Sequence, residues 1–294
     1  MSTLVSRAAA SPPALVPSRD EVLRAVAEVA AAFPFPGYIS EGVRQGLTHI
    51  IPTVASLLPG PGRRLLDIGS GPMDKTAVWS RLGFDCHAAD DLSDPWHRRG
   101  DNLARIRGFA ERMGIRFHLQ EGDYAIPFPR EGFDLVTIFD VIEHLHESPR
   151  GILNAAGEHL RTGGLLAVTM PNSVNLRKRI DVLRGRTNYP PADQFFLSFP
   201  GWRGHVREYT LRETEYICRA AGFEVVSATT WEGNAFDQLR GLPLRVFLAL
   251  GGMVPTLRSA LLVVARKPEG WVPAREDPEA FRRAQARAVP GAVA

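Results

Sequence analysis

The sequence has little cysteine, little lysine and no long apolar run, and each absence excludes a class of protein. Its 294 residues include two cysteines, Cys86 and Cys218, which lie far apart without CxxC spacing. We therefore expect buried free thiols rather than a disulfide framework. No stretch of about 18 apolar residues occurs, so no transmembrane helix is expected. The N-terminal segment lacks the apolar core of a signal peptide, and we expect a cytoplasmic protein.

Charge of one sign is also scarce. The formal net charge is +3, and the basic residues are arginines apart from Lys75, Lys178 and Lys267. Nucleic-acid binding requires basic residues gathered on one face. The densest basic run, residues 175–186, also contains an acid and is typical of a solvated helix end. We therefore expect no nucleic-acid partner.

Apolar segments of strand and helix length alternate along the middle of the chain, between two polar tails. The predicted divisions are disordered tails at 1–18 and 268–294, an N-terminal region at 19–60 with helices at 20–33 and 41–58, and a main domain at 61–267. In the main domain, strands are predicted at 64–69, 84–90, 116–123, 165–172, 223–231 and 260–268, and helices at 74–83, 101–114, 149–164 and 210–222. A further strand begins at 133 and is predicted to pass through a turn into a helix by 145.

This alternation predicts an α/β fold, a mostly parallel seven-stranded sheet with helices on both faces. The pattern is lost over residues 172–204, which we interpret as a lid or a substrate-binding insertion. The apolar segment 239–258 is interpreted as a core helix that covers the sheet. The alternatives for that segment are a homodimer face and a weak membrane-surface contact.

Two glycines, Gly69 and Gly71, follow the first strand and mark a loop that a ligand can approach closely. A dinucleotide fingerprint requires a third glycine at the position of Asp74, and a phosphate loop requires glycine directly before the Lys75-Thr76 pair. Neither motif is present. The flanking acids, Asp67 and Asp74, indicate a ligand with a cationic group rather than a phosphate.

Further acids end the next strands. Asp90 or Asp91 is expected to accept hydrogen bonds from a ribose diol, and Asp123 to meet an adenine amino group. Tyr124 is expected to contact the adenine, although filling the core is an alternative, and Asp140 completes the predicted cofactor-binding set. A nucleoside with a positively charged amino-acid tail fits these acids, and S-adenosylmethionine is such a molecule.

Several of these segments, taken together and in order, resemble class I S-adenosylmethionine-dependent methyltransferases. They are "DIGSG" at 67–71, the acid at Asp90 or Asp91, "EGDYAIPFPREGFDLVTIFDVIEHL" and "LRTGGLLAVTMPN", and the resemblance covers roughly residues 62–267. Residues 204–226 resemble bacterial methyltransferases from polysaccharide and lipid-glycan gene clusters. The resemblance implies a Rossmann-like fold with S-adenosylmethionine as cofactor. One departure is Met73, where the family often has a third glycine, so its thioether is expected near the amino-acid end of the cofactor.

Titratable residues crowd the end of the fourth strand. If a helix begins at Val141, Glu143, His146 and Glu147 share one face and His144 points elsewhere, toward the cofactor cleft if the resemblance holds. Histidine is the side chain best suited to proton transfer near neutral pH, so we predict His144 as the general base. A capping or core-packed histidine is the alternative.

A second interpretation of this cluster is a Mg²⁺ site formed by Glu143 and His144. Adjacent residues diverge on a helix, so these two share an ion only if the backbone turns there. Trp202, His205 and Tyr209, together with Glu143, are predicted to contact the acceptor. A plain strand-to-helix turn capped by Thr210 is the alternative for the segment 204–210.

The insertion contains aromatic residues beside arginine and asparagine, a combination that suits a sugar ring or a hydrophobic acceptor. The favoured hypothesis is O-methylation of a saccharide hydroxyl in polysaccharide or glycolipid biosynthesis. The alternatives are a C- or N-methyltransferase acting on a quinone or small metabolite, and a non-catalytic regulatory module that binds S-adenosylmethionine.

Overall fold

The structure of the protein, a computed structural model, describes residues 16–120, 124–187, 189–199 and 201–288. Most of the predicted N-terminal tail therefore lies outside the described residues, as does Asp123. Among the described residues, no helix combines the length and the apolarity that crossing a membrane requires.

The described strands form one seven-stranded sheet, as predicted. They are β1 (Arg64–Ile68), β2 (Asp85–Asp90), β3 (Arg116–Leu119), β4 (Phe133–Phe139), β5 (Leu160–Pro171), β6 (Glu224–Trp231) and β7 (Ala260–Arg266). Their order is β3-β2-β1-β4-β5-β7-β6, and only β7 runs antiparallel to its neighbours. The strand order reverses between β1 and β4, which is where ligands bind in open α/β sheets.

Helices cover both faces of the sheet, which confirms the predicted layers. The described helices are α1 (Arg19–Ala32), α2 (Glu41–Leu57), α3 (Asp74–Arg81), α4 (Asn102–Arg112), α5 (Arg150–His159), α6 (Leu176–Leu183), α7 (Ala192–Phe196), α8 (Leu211–Ala220), α9 (Asn234–Gln238), α10 (Gly241–Met253) and α11 (Pro278–Ala288). One core joins α1 to α4 with the sheet, and a second joins α5 and α8 with the opposite face. The N-terminal helices thus complete the core of the main domain.

Local sequence explains where these N-terminal helices begin. Ser18 and Glu21 form a reciprocal capping box at the start of α1, with the Glu21 N–H donating to Ser18 Oγ at 3.3 Å. Ser40 caps α2 with its side chain alone, accepting from the Val43 N–H at 3.2 Å. The apolar stripes that follow both caps are buried in the first core.

The segment after β4 differs from the predicted helix. Residues Ile142–His144 form a single 3₁₀ turn, and the next α-helix begins only at Arg150. The backbone therefore turns sharply at Glu143 and His144, the condition under which those two side chains can face one ligand.

Two C-terminal predictions are wrong. The helix α10 is mostly exposed, with Leu242 and Met253 more than two-thirds exposed, so it does not cover the sheet as a core helix. The residues after Lys267 are ordered up to 288: Trp271 donates its indole N–H to the Ala221 carbonyl at 2.8 Å and packs on Phe223. A single tryptophan can anchor a segment without creating any apolar periodicity.

Candidate active site

A glycine loop joins β1 to α3 at the carboxyl edge of the sheet. Gly69 has a φ of 77°, and its N–H donates to the Ala89 carbonyl at 2.8 Å. A Cβ at this position would lie 2.5 Å from Val141 Cγ2, so the loop requires glycine there. Gly71 has a φ of 53° and donates its N–H to Asp90 Oδ2 at 2.8 Å. Both glycines therefore tie the loop to β2.

Met73 takes a left-handed backbone conformation, which glycine adopts most easily. Its φ is 65° and its ψ is 24°, and its side chain is 0% exposed, within the core beneath α3. The expectation that its thioether lies near the cofactor is therefore wrong. Because apolar burial is favourable, the core can hold a methionine in a conformation that costs about 1–2 kcal/mol outside glycine.

The two acids that flank the glycine loop are buried beneath it. Asp67 accepts hydrogen bonds from Thr76 Oγ1 at 2.5 Å and from Thr137 Oγ1 at 2.8 Å, one on each carboxylate oxygen. Burial raises the pKa of Asp67 and that of Asp74. Asp67 thus links α3 and β4 to the end of β1, and neither acid lines the cleft above the loop.

That cleft is a cavity of about 290 Å³ at the carboxyl ends of β1, β2 and β4. Its lining includes five of the residues predicted to bind the cofactor, namely Gly69, Gly71, Asp90, Asp91 and Asp140, and also His144 and Trp202. Asp90 is held by the Leu92 N–H, which donates to its Oδ1 at 2.6 Å. Burial raises the pKa of Asp90 to about 6. The acids that give this cleft its negative character are thus at the strand ends.

Aromatic side chains that sequence reasoning missed form part of the same cleft. Tyr38 and Trp96 both line it, with ring centroids 5.6 Å apart. Their signal in the sequence is only that each belongs to a short proline-containing loop. Tyr124, which was predicted to contact adenine, does not line the cleft; it packs against Gly151, and its hydroxyl donates to Glu147 Oε1 at 3.4 Å.

An ion pair lies at the inner end of the cleft. Lys75 Nζ lies 2.5 Å from Asp140 Oδ2, and Thr169 Oγ1 donates to Asp140 Oδ1 at 3.3 Å. Burial alone would raise the pKa of Asp140, but the neighbouring ammonium of Lys75 lowers it. Asp140 also lines a second cavity of about 280 Å³ on the other side, which is bounded by α2 and by Trp231. Asp140 thus lies between the two cavities and lines both of them.

The 3₁₀ turn brings Glu143 and His144 together with His205 from the end of the insertion. Glu143 is 0% exposed, and neither of its carboxylate oxygens has a hydrogen-bond partner among the described residues. Burial, with Asp140 nearby, raises the pKa of Glu143 well above its ordinary value. The imidazole rings of His144 and His205 meet edge to face, with centroids 4.8 Å apart.

Hydrogen bonds define the protonated nitrogen of each ring. His144 Nδ1 lies 2.9 Å from the Arg203 carbonyl oxygen, and His205 Nδ1 lies 2.8 Å from Glu208 Oε1. Both oxygens accept, so both Nδ1 atoms carry the proton, and neither Nε2 has a hydrogen-bond partner within the described part of the chain. Glu208 is in turn paired with Lys178. Burial, His144 and Lys178 lower the pKa of His205 to about 4.

The remaining predicted acceptor contacts separate into two groups. Trp202 lines the cofactor cleft and donates its indole N–H to the His205 carbonyl at 3.0 Å. Tyr209 is 6% exposed and belongs to the second core, so its prediction as an acceptor contact is wrong. Thr210 caps α8 through a capping box with Glu213, as in the simpler interpretation of this segment.

His205 also borders a larger cavity of about 460 Å³ beneath the insertion. Its polar lining, besides His205, consists of Asn175, Arg177, Lys178, Asp181, Arg184, Tyr189, Glu208, Glu232, Gln238 and Ser259. The rest of the wall is apolar and includes Ile180 of α6 and Phe247 of α10. We call the 280 Å³ cavity the inner cavity and this 460 Å³ cavity the outer cavity. His144 lines the cofactor cleft, Glu143 and His205 line the inner cavity, and His205 also lines the outer cavity. The three spaces therefore meet around these three side chains.

Comparisons with known proteins agree with this geometry. The family model described as a methyltransferase domain matches residues 41–228. The ubiquinone/menaquinone biosynthesis C-methyltransferase UbiE of Shewanella halifaxensis is 26% identical over 189 residues, which are 60% of this chain and 72% of that protein. The UbiE of Shewanella oneidensis is 27% identical over 193 residues, 62% of this chain and 74% of that protein.

Solved structures share the fold at low sequence identity. The PH0226 protein of Pyrococcus horikoshii has a TM-score of 0.50 and 15% identity, covering 81% of this chain and 98% of its own. The [4+2]-cyclase SpnF has a TM-score of 0.50 and 18% identity, covering 88% of this chain and 100% of its own. Identities of this size show a common fold and leave the reaction to be argued from the site.

Proposed function

The chain belongs to the methyltransferase-domain family and is a class I S-adenosylmethionine-dependent methyltransferase, and we propose that it methylates a hydroxyl group of a saccharide acceptor. The observation that carries the proposal is the free Nε2 of His144. The His144 ring lines the cofactor cleft and contacts the His205 ring. His205 in turn lines both the inner and the outer cavity. A hydroxyl nucleophile must lose its proton during the transfer, and an imidazole lone pair accepts it.

The cleft suggests one orientation of the cofactor. We expect the ribose diol to donate to Asp90 or Asp91 and the adenine to lie near Trp96 and Tyr38. The amino-acid end then lies at the glycine loop, and the sulfonium faces the turn at His144. Methyl transfer is an in-line displacement, so the main task of the site is to hold nucleophile and methyl within about 3–3.5 Å of each other.

The outer cavity supports a saccharide as the acceptor. A sugar ring presents hydroxyls on its edge and C–H groups on its faces, and this wall offers both charged or amide side chains and the Tyr189 ring. Asp181 on α6 and Gln238 on α9 are among the polar side chains of this wall. Tyr189 is 71% exposed, so a sugar that stacks on it would bury apolar area.

A lipid-linked saccharide is the form of acceptor that the surroundings of this cavity favour. Exposed apolar side chains lie on the insertion and on α10, among them Leu183, Phe196, Phe199, Leu242 and Met253. Residues 172–204 carry six basic and two acidic side chains, a net charge of +4, whereas the whole chain carries +3. Apolar side chains among positive charges match the surface of an anionic bilayer. We propose that the insertion and α10 dock on such a bilayer.

Vesicle binding tests the membrane part of the proposal. We expect the protein to sediment with vesicles of phosphatidylcholine and phosphatidylglycerol more than with phosphatidylcholine alone, and Phe196→Ser with Leu242→Ser to weaken it. Tyr216→Ser is the matched control, since Tyr216 is 70% exposed on α8, outside the insertion and α10. Equal sedimentation of all three proteins, or self-association that hides these side chains in a homodimer, would contradict docking.

The acceptor is tested by incubation with methyl-labelled S-adenosylmethionine and a panel of oligosaccharides and glycolipids. Label on the saccharide, lost in His144→Ala while calorimetry still detects cofactor binding, is the expected result. Full turnover by the variant would overturn the assignment of the base. Cofactor binding with no turnover on any acceptor would favour a regulatory module.

A second candidate is C-methylation of a quinone ring, which the names of the UbiE relatives favour. Those proteins are 26–27% identical to this chain. A quinone precursor would place its ring against the same imidazoles and its apolar tail in the outer cavity. The two reactions are distinguished by the atom that receives the methyl group, because only O-methylation of a sugar leaves a methyl ether.

A further inference from the structure

We propose that Glu143, His144 and His205 bind one divalent transition-metal ion. Each of the three side chains has a ligand atom within 4.8 Å of those of the other two. The ion itself would rest in the space where the cofactor cleft and the acceptor cavities meet. A role of the ion in catalysis rests on the proposed methyl transfer, whereas the binding of the ion does not.

The strongest observation is the buried carboxylate. Glu143 is 0% exposed, and both of its oxygens are without a hydrogen-bond partner among the described residues. A carboxylate held this way is costly unless a proton or a cation neutralises it. Lys178, the nearest buried ammonium on the insertion, is paired with Glu208 instead. A metal ion would satisfy the orphaned oxygens directly.

Both imidazoles are held in the tautomer that a metal requires. The Nδ1–H groups of His144 and His205 donate to Arg203 and Glu208, respectively, which leaves Nε2 of each ring as the ligand atom. Histidine ligands commonly donate their other N–H to a carbonyl or a carboxylate, and that partner fixes the orientation of the ring. Here His144 donates to a carbonyl and His205 donates to a carboxylate.

The backbone explains how residues so far apart in sequence meet. The 3₁₀ turn directs Glu143 and its neighbour toward one point, and the Glu143 carbonyl accepts hydrogen bonds from the N–H groups of Val206 and Arg207 at 2.7 and 3.2 Å. The strand end is thereby fastened to the segment that carries His205. Main-chain hydrogen bonds thus hold the segments that carry the three side chains together.

The donor set selects the class of ion. Two imidazoles and one carboxylate suit Mn²⁺, Fe²⁺, Co²⁺ or Zn²⁺, whereas Mg²⁺ prefers oxygen ligands and retains several waters. Three protein ligands leave coordination positions for water or for an acceptor hydroxyl. Coordination would lower the pKa of such a hydroxyl, so that its proton could pass to solvent water. With the ion bound, His144 would act as a ligand, and its role as general base would apply only to the metal-free protein.

Metal titration of the EDTA-treated full chain tests the site with Mn²⁺, Zn²⁺ and Mg²⁺ by calorimetry, and with Co²⁺ by its visible absorption. We expect one Co²⁺ or Zn²⁺ per chain, weaker Mg²⁺ binding, and at least a tenfold loss of affinity in Glu143→Gln and in His205→Ala. His146→Ala is the matched control, because that ring bonds the Trp202 carbonyl and lies outside the three ligands. Circular dichroism confirms that each variant is folded.

The outcomes separate this proposal from the proposed function. Affinity unchanged in both ligand variants, or no binding of any of these ions, would overturn the metal site even if methyl transfer is observed. Metal binding that depends on both ligands, in a protein that transfers no methyl group, would support the site and reject its catalytic use.

Discussion

Replacing Met73 should reverse the usual stability order of alanine and glycine. This residue is the N-cap directly before α3 and has a left-handed backbone, and its side chain is 0% exposed. Removal of a buried methionine side chain costs about 2–5 kcal/mol. Met73→Ala loses that packing and keeps the strained backbone. Met73→Gly loses the same packing but relieves a strain of about 1–2 kcal/mol.

We therefore expect both variants to unfold at lower urea concentration than the parent protein, with the glycine variant more stable than the alanine variant by about 1 kcal/mol. Urea unfolding followed by circular dichroism measures the difference. Ala77→Gly is the matched control, because Ala77 lies inside the same helix and glycine there should cost at least about 1 kcal/mol. An alanine variant as stable as the glycine variant would refute a left-handed Met73.

Further predictions concern the cleft and the two ends of the fold. Because the pKa of Asp90 is raised to about 6, protonation should weaken S-adenosylmethionine binding as pH falls from 7 to 5, whereas Asp90→Asn should bind weakly with little pH dependence; calorimetry at several pH values checks this. The same raised pKa has the opposite effect on stability. The folded state binds the Asp90 proton more tightly than the unfolded state, so this group's contribution to the free energy of unfolding increases as pH falls through about 6. Thr137→Val removes a donor to buried Asp67 and should lower the free energy of unfolding by about 1.5–3 kcal/mol, measured in urea. Trp271→Ala should lower it by about 2 kcal/mol, whereas truncation after Trp271 should have a smaller effect if the tryptophan is the anchor.

The centre of the sheet could be predicted because β4, β5 and β7 contain continuous apolar runs, and because β1, β2 and β4 end at glycine or at an acid. Such runs are buried on both faces of a parallel sheet, so local sequence and tertiary position agree. The residues at the strand ends follow from the same argument: Asp90, Asp91 and Asp140 line the cleft because parallel strands present their carboxyl ends along one edge.

The geometry at Glu143 and His144 could not be predicted, because it depends on a partner 60 residues away. Sequence alone favoured an α-helix from Val141, on which neighbouring side chains diverge. The structure has a 3₁₀ turn that is held by hydrogen bonds from Val206 and Arg207. Tertiary contacts of this kind override helical propensity in a short segment.

Errors on the C-terminal side have a related cause. Apolar content predicted a buried α10, but a helix is buried only if another element covers it, and the sequence does not specify the covering element. The opposite error concerned Trp271, which is a single apolar residue among polar neighbours. Its contacts with Ala221 and Phe223 belong to a distant helix end and give no periodic signal.

The most direct test of the account is the position of a ¹³C-labelled methyl group in the product, determined by NMR after turnover with a saccharide or glycolipid acceptor. Transfer from S-adenosylmethionine to a sugar oxygen, giving a methyl ether, is the predicted result. A labelled methyl group on a ring carbon or a nitrogen would contradict the proposed hydroxyl acceptor.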